Sequence, residues 1–214
     1  HLAFIAFTLQ KKQVVSMLED DLLDLIWEKF GLEKADAERD ARNFLRHTAE
    51  RGGLLEAVDE NYGFFTHATF QEYLSGRYLG EEMDGEEQKA FLQEEKRFMD
   101  DQWEESIRLT AGYLSIAGTT RADRFINLLA ALGGEADEHA RALSLAAFSL
   151  ADMLGERRSA STVQKLAAEI QTELALSPPP LPLQPRAKLA LALGEIGDPR
   201  IKNPLKPAMV KIPA

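Results

Sequence analysis

His67 is the ionisable side chain whose neighbours along the chain most suggest a ligand. Thr66 and Thr69 lie beside it, and Thr69-Phe70-Gln71-Glu72 has the spacing of a capping box, which predicts that a helix begins here. The unpaired N–H groups and the dipole at such an end attract anions, and an imidazole placed there can donate a hydrogen bond to a phosphate oxygen. From the residues alone, an ordinary capping or half-buried histidine explains the same pattern.

Other routes to chemistry close quickly. No Gly-x-x-x-x-Gly-Lys-Ser/Thr occurs, and no Gly is followed by Lys, so the segment has no P-loop with which to hydrolyse a nucleotide. There is no Gly-x-Ser-x-Gly elbow, no His-Glu-x-x-His and no cysteine. His47, His67 and His139 are far apart in sequence, so no metal site is expected. Asp20-Asp21 and Asp100-Asp101 are adjacent pairs, and adjacent residues on a helix point about 100° apart, which makes neither a ready acid/base couple. The expectation is a segment with no catalytic residues of its own.

The elements that would position His67 can be read from periodicity. Ser16-Met17-Leu18-Glu19 has a capping-box pattern, and Leu18, Leu22, Leu25, Ile26 and Phe30 keep helical spacing, predicting a helix over about 17 to 30. A second, over about 33 to 51, carries Ala41, Phe44, Leu45 and Ala49 on one face and stops at Gly52-Gly53. Leu54–Val58 and Tyr62–Thr66 then read as two short strands around Asp59-Glu60-Asn61. Helix, helix, hairpin, helix is the order of a winged-helix-like unit. In the helix after His67, Phe70, Tyr73, Leu74 and Tyr78 are spaced to face the core.

The motif His67-Ala68-Thr69-Phe70-Gln71-Glu72-Tyr73-Leu74 resembles the His-x-Ser/Thr-Phe-Gln-Glu-Tyr/Phe-Leu motif of the winged-helix element that follows the ATPase core of NACHT-type STAND proteins. These are signalling ATPases whose nucleotide state controls an attached effector. Gly53-Leu54-Leu55 and Tyr62-x-Phe64 match the usual approach to that motif, and the firm part of the resemblance covers about residues 52 to 80. It implies that His67 contacts the β-phosphate of bound ADP and locks a closed, inactive state. It also implies packing and helix-positioning roles for Phe70, Gln71, Glu72, Tyr73 and Leu74. A hydrogen bond to a charged group contributes about 1.5–3 kcal/mol where micromolar binding needs about 8 kcal/mol, so His67 can bias a nucleotide-bound state without holding ADP alone. ADP or ATP would be bound only together with an upstream P-loop domain.

Downstream, Trp103-Glu104-Glu105-Ser106-Ile107-Arg108-Leu109 and Ala111-Gly112-Tyr113-Leu114 are similar to the helical region after the winged helix in bacterial STAND proteins. Helices are predicted near 103, 121, 137, 161 and 186, recurring in pairs at about 40 residues, the period of HEAT-type repeats. Their inward faces are predicted as Leu109, Ala111 and Leu114, then Ile126, Leu129 and Leu132, then Leu143, Ala146, Ala147 and Leu150. Gly194 and Gly197 are expected to close the last helix. SPPPLPLQP at 177–185 reads as extended polyproline II. Gly197-Asp198-Pro199-Arg200 and Met209–Ala214 resemble the lead-in to a domain of the formylglycine-generating-enzyme fold.

The resulting expectation is a mainly α protein: a winged-helix-like unit with one small β-hairpin, then a HEAT-like helical array. The boundaries read 1–80 for the winged-helix-like element, 81–102 for an acidic connecting helix, 103–198 for the repeats and 199–214 for a linker tail. The function expected is a regulatory and coupling segment of a STAND NTPase, with a helical-repeat interaction scaffold lacking any nucleotide role as the alternative. Its partners would be the upstream NTPase core and a downstream domain of the same polypeptide, with a protein partner on the helical array. A net charge of −10 disfavours nucleic acid and anionic lipid, and residues 67–80 hold only Arg77 as a cation for a recognition helix. The lack of cysteines and of an apolar run of about 18 residues sets cytoplasm as the expected location, with no membrane association. The opening His1-Leu2-Ala3-Phe4-Ile5-Ala6-Phe7 starts inside an apolar helical pattern and reads as a cut end.

Overall fold

The computed structural model describes residues 2–30, 34–64, 68–176 and 181–201 of the chain. It is mainly α, with a small three-stranded antiparallel sheet, and divides into two compact units. The first comprises residues 1–84 with 105–110, and the second residues 85–104 with 111–214.

In the first unit the order is α1 (Leu2–Lys12), β1 (Ser16–Leu18), α2 (Glu19–Phe30), α3 (Lys34–Gly52), β2 (Glu56–Val58), β3 (Asn61–Gly63) and α4 (Ala68–Glu81). The hairpin strands β2 and β3 are joined through Asp59 and Glu60, which both take positive φ, 47° and 63°, the backbone hand a two-residue hairpin turn requires. β3 is the central strand. On its other edge Met17 pairs with Tyr62, and both side chains are buried.

That pairing corrects the sequence expectation for residues 16–18, which form a strand where a helix cap was predicted. A capping pattern competes here with a free edge on β3, and burial of Met17 between flanking residues that face outward satisfies the period of a strand. The helix accordingly starts at Glu19, with Glu19, Asp20 and Asp21 in its first turn, where the helix dipole favours carboxylates. α3 ends as expected, with Gly53 at φ +60° in left-handed geometry. The core joins Ile5, Leu9, Leu22, Ile26, Leu45 and Leu55, drawn from three helices and the approach to the hairpin.

As read from the sequence, the helix over about 33 to 51 lies directly ahead of the hairpin, as α3 before β2–β3. That order gives α3 the place of a recognition helix, and corrects the weighing of residues 67–80 for that role. Its exposed described residues mix Arg39, Arg46 and His47 with Asp40 and Glu50, and the hairpin tip presents Asp59 and Glu60.

In the second unit, the stretch expected as an acidic connecting helix is three short pieces. These are α5 (Gly85–Lys89), a π turn (Ala90–Glu94) and a 3-10 turn (Arg97–Met99), with Lys96 at φ +52° between the last two. α6 (Asp101–Ala117), α7 (Thr119–Ala130), α8 (Ala136–Asp152), α9 (Ala160–Ala175) and α10 (Leu183–Ile196) follow. α8 packs against α7, α9 and α10, and its alanine-rich sequence lets almost every residue from Ala140 to Leu150 be buried. Leu109 is only half-buried, whereas the other residues predicted to face inward are buried.

α10 begins at Leu183, so Leu183, Gln184 and Pro185 are helical where polyproline II was predicted. Pro185 is tolerated because backbone N–H groups of the first turn have no partner within the helix. Residues 177–180 lie outside the described residues. The helix runs through Gly194 and ends at Gly197, φ +94°. Arg200 then closes a bidentate ion pair on Asp198, with Nε 2.9 Å from Oδ1 and Nη2 2.6 Å from Oδ2. Nearly all of the expected linker tail, residues 202–214, lies outside the described residues. Among the described residues no helix is long and apolar enough to cross a membrane.

Candidate functional site

The motif residues after His67 form the first two turns of α4. His67 itself, with Phe65 and Thr66, lies outside the described residues; Phe64 before them is buried in the core of the first unit, and Ala68 after them opens the helix.

The buried stripe of α4 is Gln71, Leu74, Ser75, Tyr78 and Leu79. Phe70 and Tyr73 are 38% and 40% exposed, so two of the aromatic anchors predicted from spacing lie outside the core. The reason is rotational: Leu74, Tyr78, Gln71 and Ser75 together span about 100° of the inward side, and Phe70 and Tyr73 fall beyond its Leu74 edge, toward solvent. Tyr78 stacks on Phe7 at 4.6 Å between ring centroids and lies 5.9 Å from Phe4. Lys29 of α2 sits 5.5 Å above the Tyr78 ring, adding a cation–π contact.

Gln71 makes the most specific attachment. Its amide nitrogen donates to Gln10 Oε1 at 2.9 Å and approaches the Val14 carbonyl at 3.3 Å, tying the first turn of α4 to the end of α1. Both glutamines are buried, and in that setting an unmatched amide would be costly. Glu72 is half-buried. Burial, and secondarily the nearby Glu105 carboxylate, push its carboxyl above the usual range.

One turn further on, α4 crosses α6 at Gly76. A side chain at this position would meet the Ser106 carbonyl oxygen at 2.5 Å, so only glycine permits the approach. On the sheet, Tyr62 is also raised above its ordinary value, first by burial and then by the charge of Glu19.

Sequence reasoning placed the helix and Leu74 correctly but missed the roles of Gln10, Lys29 and Gly76. A glycine in the interior of an otherwise well-formed helix is a signal for close backbone approach, so Gly76 was open to detection. Gln10 offers no comparable sign. No group of three or more His, Cys, Asp or Glu among the described residues is arranged to hold a metal ion.

Comparison with known proteins gives one result. Residues 1–79 match the family model of the winged helix-turn-helix domain C-terminal to NACHT. No curated protein and no solved structure matches the chain. The matched span coincides with the helix–strand–helix–helix–hairpin–helix order of the first unit, and together they support a NACHT-associated winged-helix domain over residues 1–79.

Proposed function

We propose that the chain is a regulatory and coupling segment of a STAND NTPase, in which the winged-helix domain reads ADP against ATP through His67. The observation that carries this reading is the family match over residues 1–79, a span whose sequence includes His67 and the motif residues that open α4. The attachments of α4 make the proposal mechanical. Because Gln71, Leu74 and Tyr78 fix the helix to α1 and the core, a phosphate contact at its start would act on the domain as a body. ADP would favour the arrangement in which that contact is made, and nucleotide exchange would release it. The later helices, read as a HEAT-like array, would relay the change to a C-terminal recognition domain, for which the formylglycine-generating-enzyme fold is the proposed candidate.

The test uses the longer polypeptide that includes the P-loop domain. His67→Ala is expected to weaken ADP retention about ten- to a hundredfold and to raise basal activity. Unchanged ADP affinity would remove His67 from the site. A parent reading frame with no P-loop upstream would leave the helical scaffold as the better reading.

A further inference from the structure

The second unit contains a cleft of about 370 Å³ beside the starts of α6, α8 and α10. That volume is within the range of small-molecule sites, about 300–1,000 Å³.

Its wall carries a surplus of hydrogen-bond donors. The Arg141 side chain is 13% exposed; its Nη1 lies 2.8 Å from Glu104 Oε2, Nη2 donates to Asp101 Oδ1 at 2.8 Å, and Nε approaches the Phe98 carbonyl at 3.4 Å. A guanidinium has five N–H groups, so the rest have no partner among the described residues. Lys188 donates to the same Glu104 oxygen at 2.9 Å, which uses one of its three ammonium protons. Glu104 does not line the cleft, whereas Arg141 and Lys188 do. Since both nitrogens touch one oxygen, they are close enough for a single oxyanion on the open side to bridge them.

The remaining lining has different chemistry. Asp137 is exposed and has no cationic partner among the described residues, and the Asp101 side chain is 90% exposed even while it contacts Arg141. Met99, Ala140 and Pro185 add apolar surface to the same lining. A plain carboxylic acid would fill the donors but meet two aspartates, and a plain amine would satisfy the aspartates but leave the donors empty.

We propose that this cleft binds a small apolar α-amino acid. The carboxylate bridges Arg141 and Lys188, the ammonium lies with Asp101 and Asp137, and the side chain covers Met99, Ala140 and Pro185. This assignment does not depend on the nucleotide reading of the winged helix.

Isothermal titration of the full chain tests it with three probes: L-leucine, 4-methylpentanoate, which lacks the ammonium, and 3-methylbutylamine, which lacks the carboxylate. L-Leucine is expected to bind saturably and at least about tenfold more tightly than either analogue. Lys188→Met should weaken leucine binding about tenfold. Asp137→Asn, at an exposed position that keeps the test decisive if the lysine variant unfolds, should weaken leucine but not 4-methylpentanoate. No saturable heat at millimolar leucine, equal binding of either analogue, or unchanged leucine affinity in Asp137→Asn overturns the proposal.

Discussion

The Thr110 hydroxyl shares its proton between the carbonyls of Gly76, at 2.9 Å, and Ser106, at 2.8 Å, and so bonds α6 to α4 where their backbones touch. Gly76→Ala would drive a methyl group to 2.5 Å from the Ser106 oxygen. It is expected to destabilise the protein by about 1–3 kcal/mol. At Gly112 in the same α6, an added methyl group would meet nothing within 4 Å among the described residues, so Gly112→Ala should stabilise by up to about 1 kcal/mol. Thermal denaturation of the two variants should therefore move the midpoint in opposite directions, and a matching shift would refute the close-approach account.

The buried Gln10–Gln71 pair predicts non-additivity. Gln71→Leu removes the donor from Gln10 and should cost about 1–3 kcal/mol, while Gln10→Leu/Gln71→Leu should recover part of that loss. Urea unfolding of the two single variants, the double variant and the parent measures the coupling. Simple addition of the single effects would show that the two amides do not act as a unit.

Within one turn of α4, Leu74 and Phe70 should behave differently. Leu74 is 8% exposed and packs in the first core, so Leu74→Ala is expected to cost about 2–5 kcal/mol. Phe70, at 38% exposure, should lose far less on truncation to Ala. If Phe70→Ala proves the more damaging in equilibrium unfolding, the orientation of α4 given above is wrong.

Two glutamates predict opposite responses to pH. For Glu104, burial works to raise the pKa, but the Lys188 hydrogen bond and the Arg141 charge outweigh it and hold the carboxyl below its usual range. Its contribution to stability is thus present above the unfolded pKa and is lost as pH falls through the depressed folded value. Glu72 has a raised pKa, so its charged form opposes folding at neutral pH, and that penalty disappears as pH falls below the unfolded value. At pH 7, Glu104→Gln should lower the melting temperature and Glu72→Gln should raise it. Both differences should shrink in acid, and a Glu72→Gln gain that grows as the pH drops would contradict the sign.

The hairpin tip places two ordinary residues at positive φ, 47° at Asp59 and 63° at Glu60. Asn-Gly suits that conformation better, and the double change Asp59→Asn/Glu60→Gly should stabilise the domain by about 1 kcal/mol. A lowered midpoint in thermal unfolding would show that the acidic side chains contribute more than their backbone strain costs.

Much of this architecture was legible because it follows from local rules. The Gly52-Gly53 stop, the turn at Asp59-Glu60 and the alanine-rich face of α8 each announce themselves within a few residues. β1 was hidden because its three residues acquire strand character only from a partner far along the chain, while locally Ser16-Met17-Leu18-Glu19 satisfies a helix cap. Phe70 and Tyr73 misled for a related reason: helical spacing defines a stripe but does not say which of two overlapping stripes turns inward. In the fold Leu74 and Tyr78 turn inward together with Gln71, whose bond to Gln10 no local pattern encodes. The candidate site was legible as a motif, while its attachments to α1, α2 and α6 required the fold.

Because β3 occupies the middle of the sheet, its two neighbours have no backbone partner until residues 61–63 have been synthesised. A nascent chain ending before Asn61 would hold the sequences of three helices around an unpaired β1, exposing an incomplete core to the ribosome surface and to chaperones. The order of synthesis then places the histidine motif only a few residues after the last strand, so β3 and α4 emerge nearly together and the sheet and the helix can complete the core in one step.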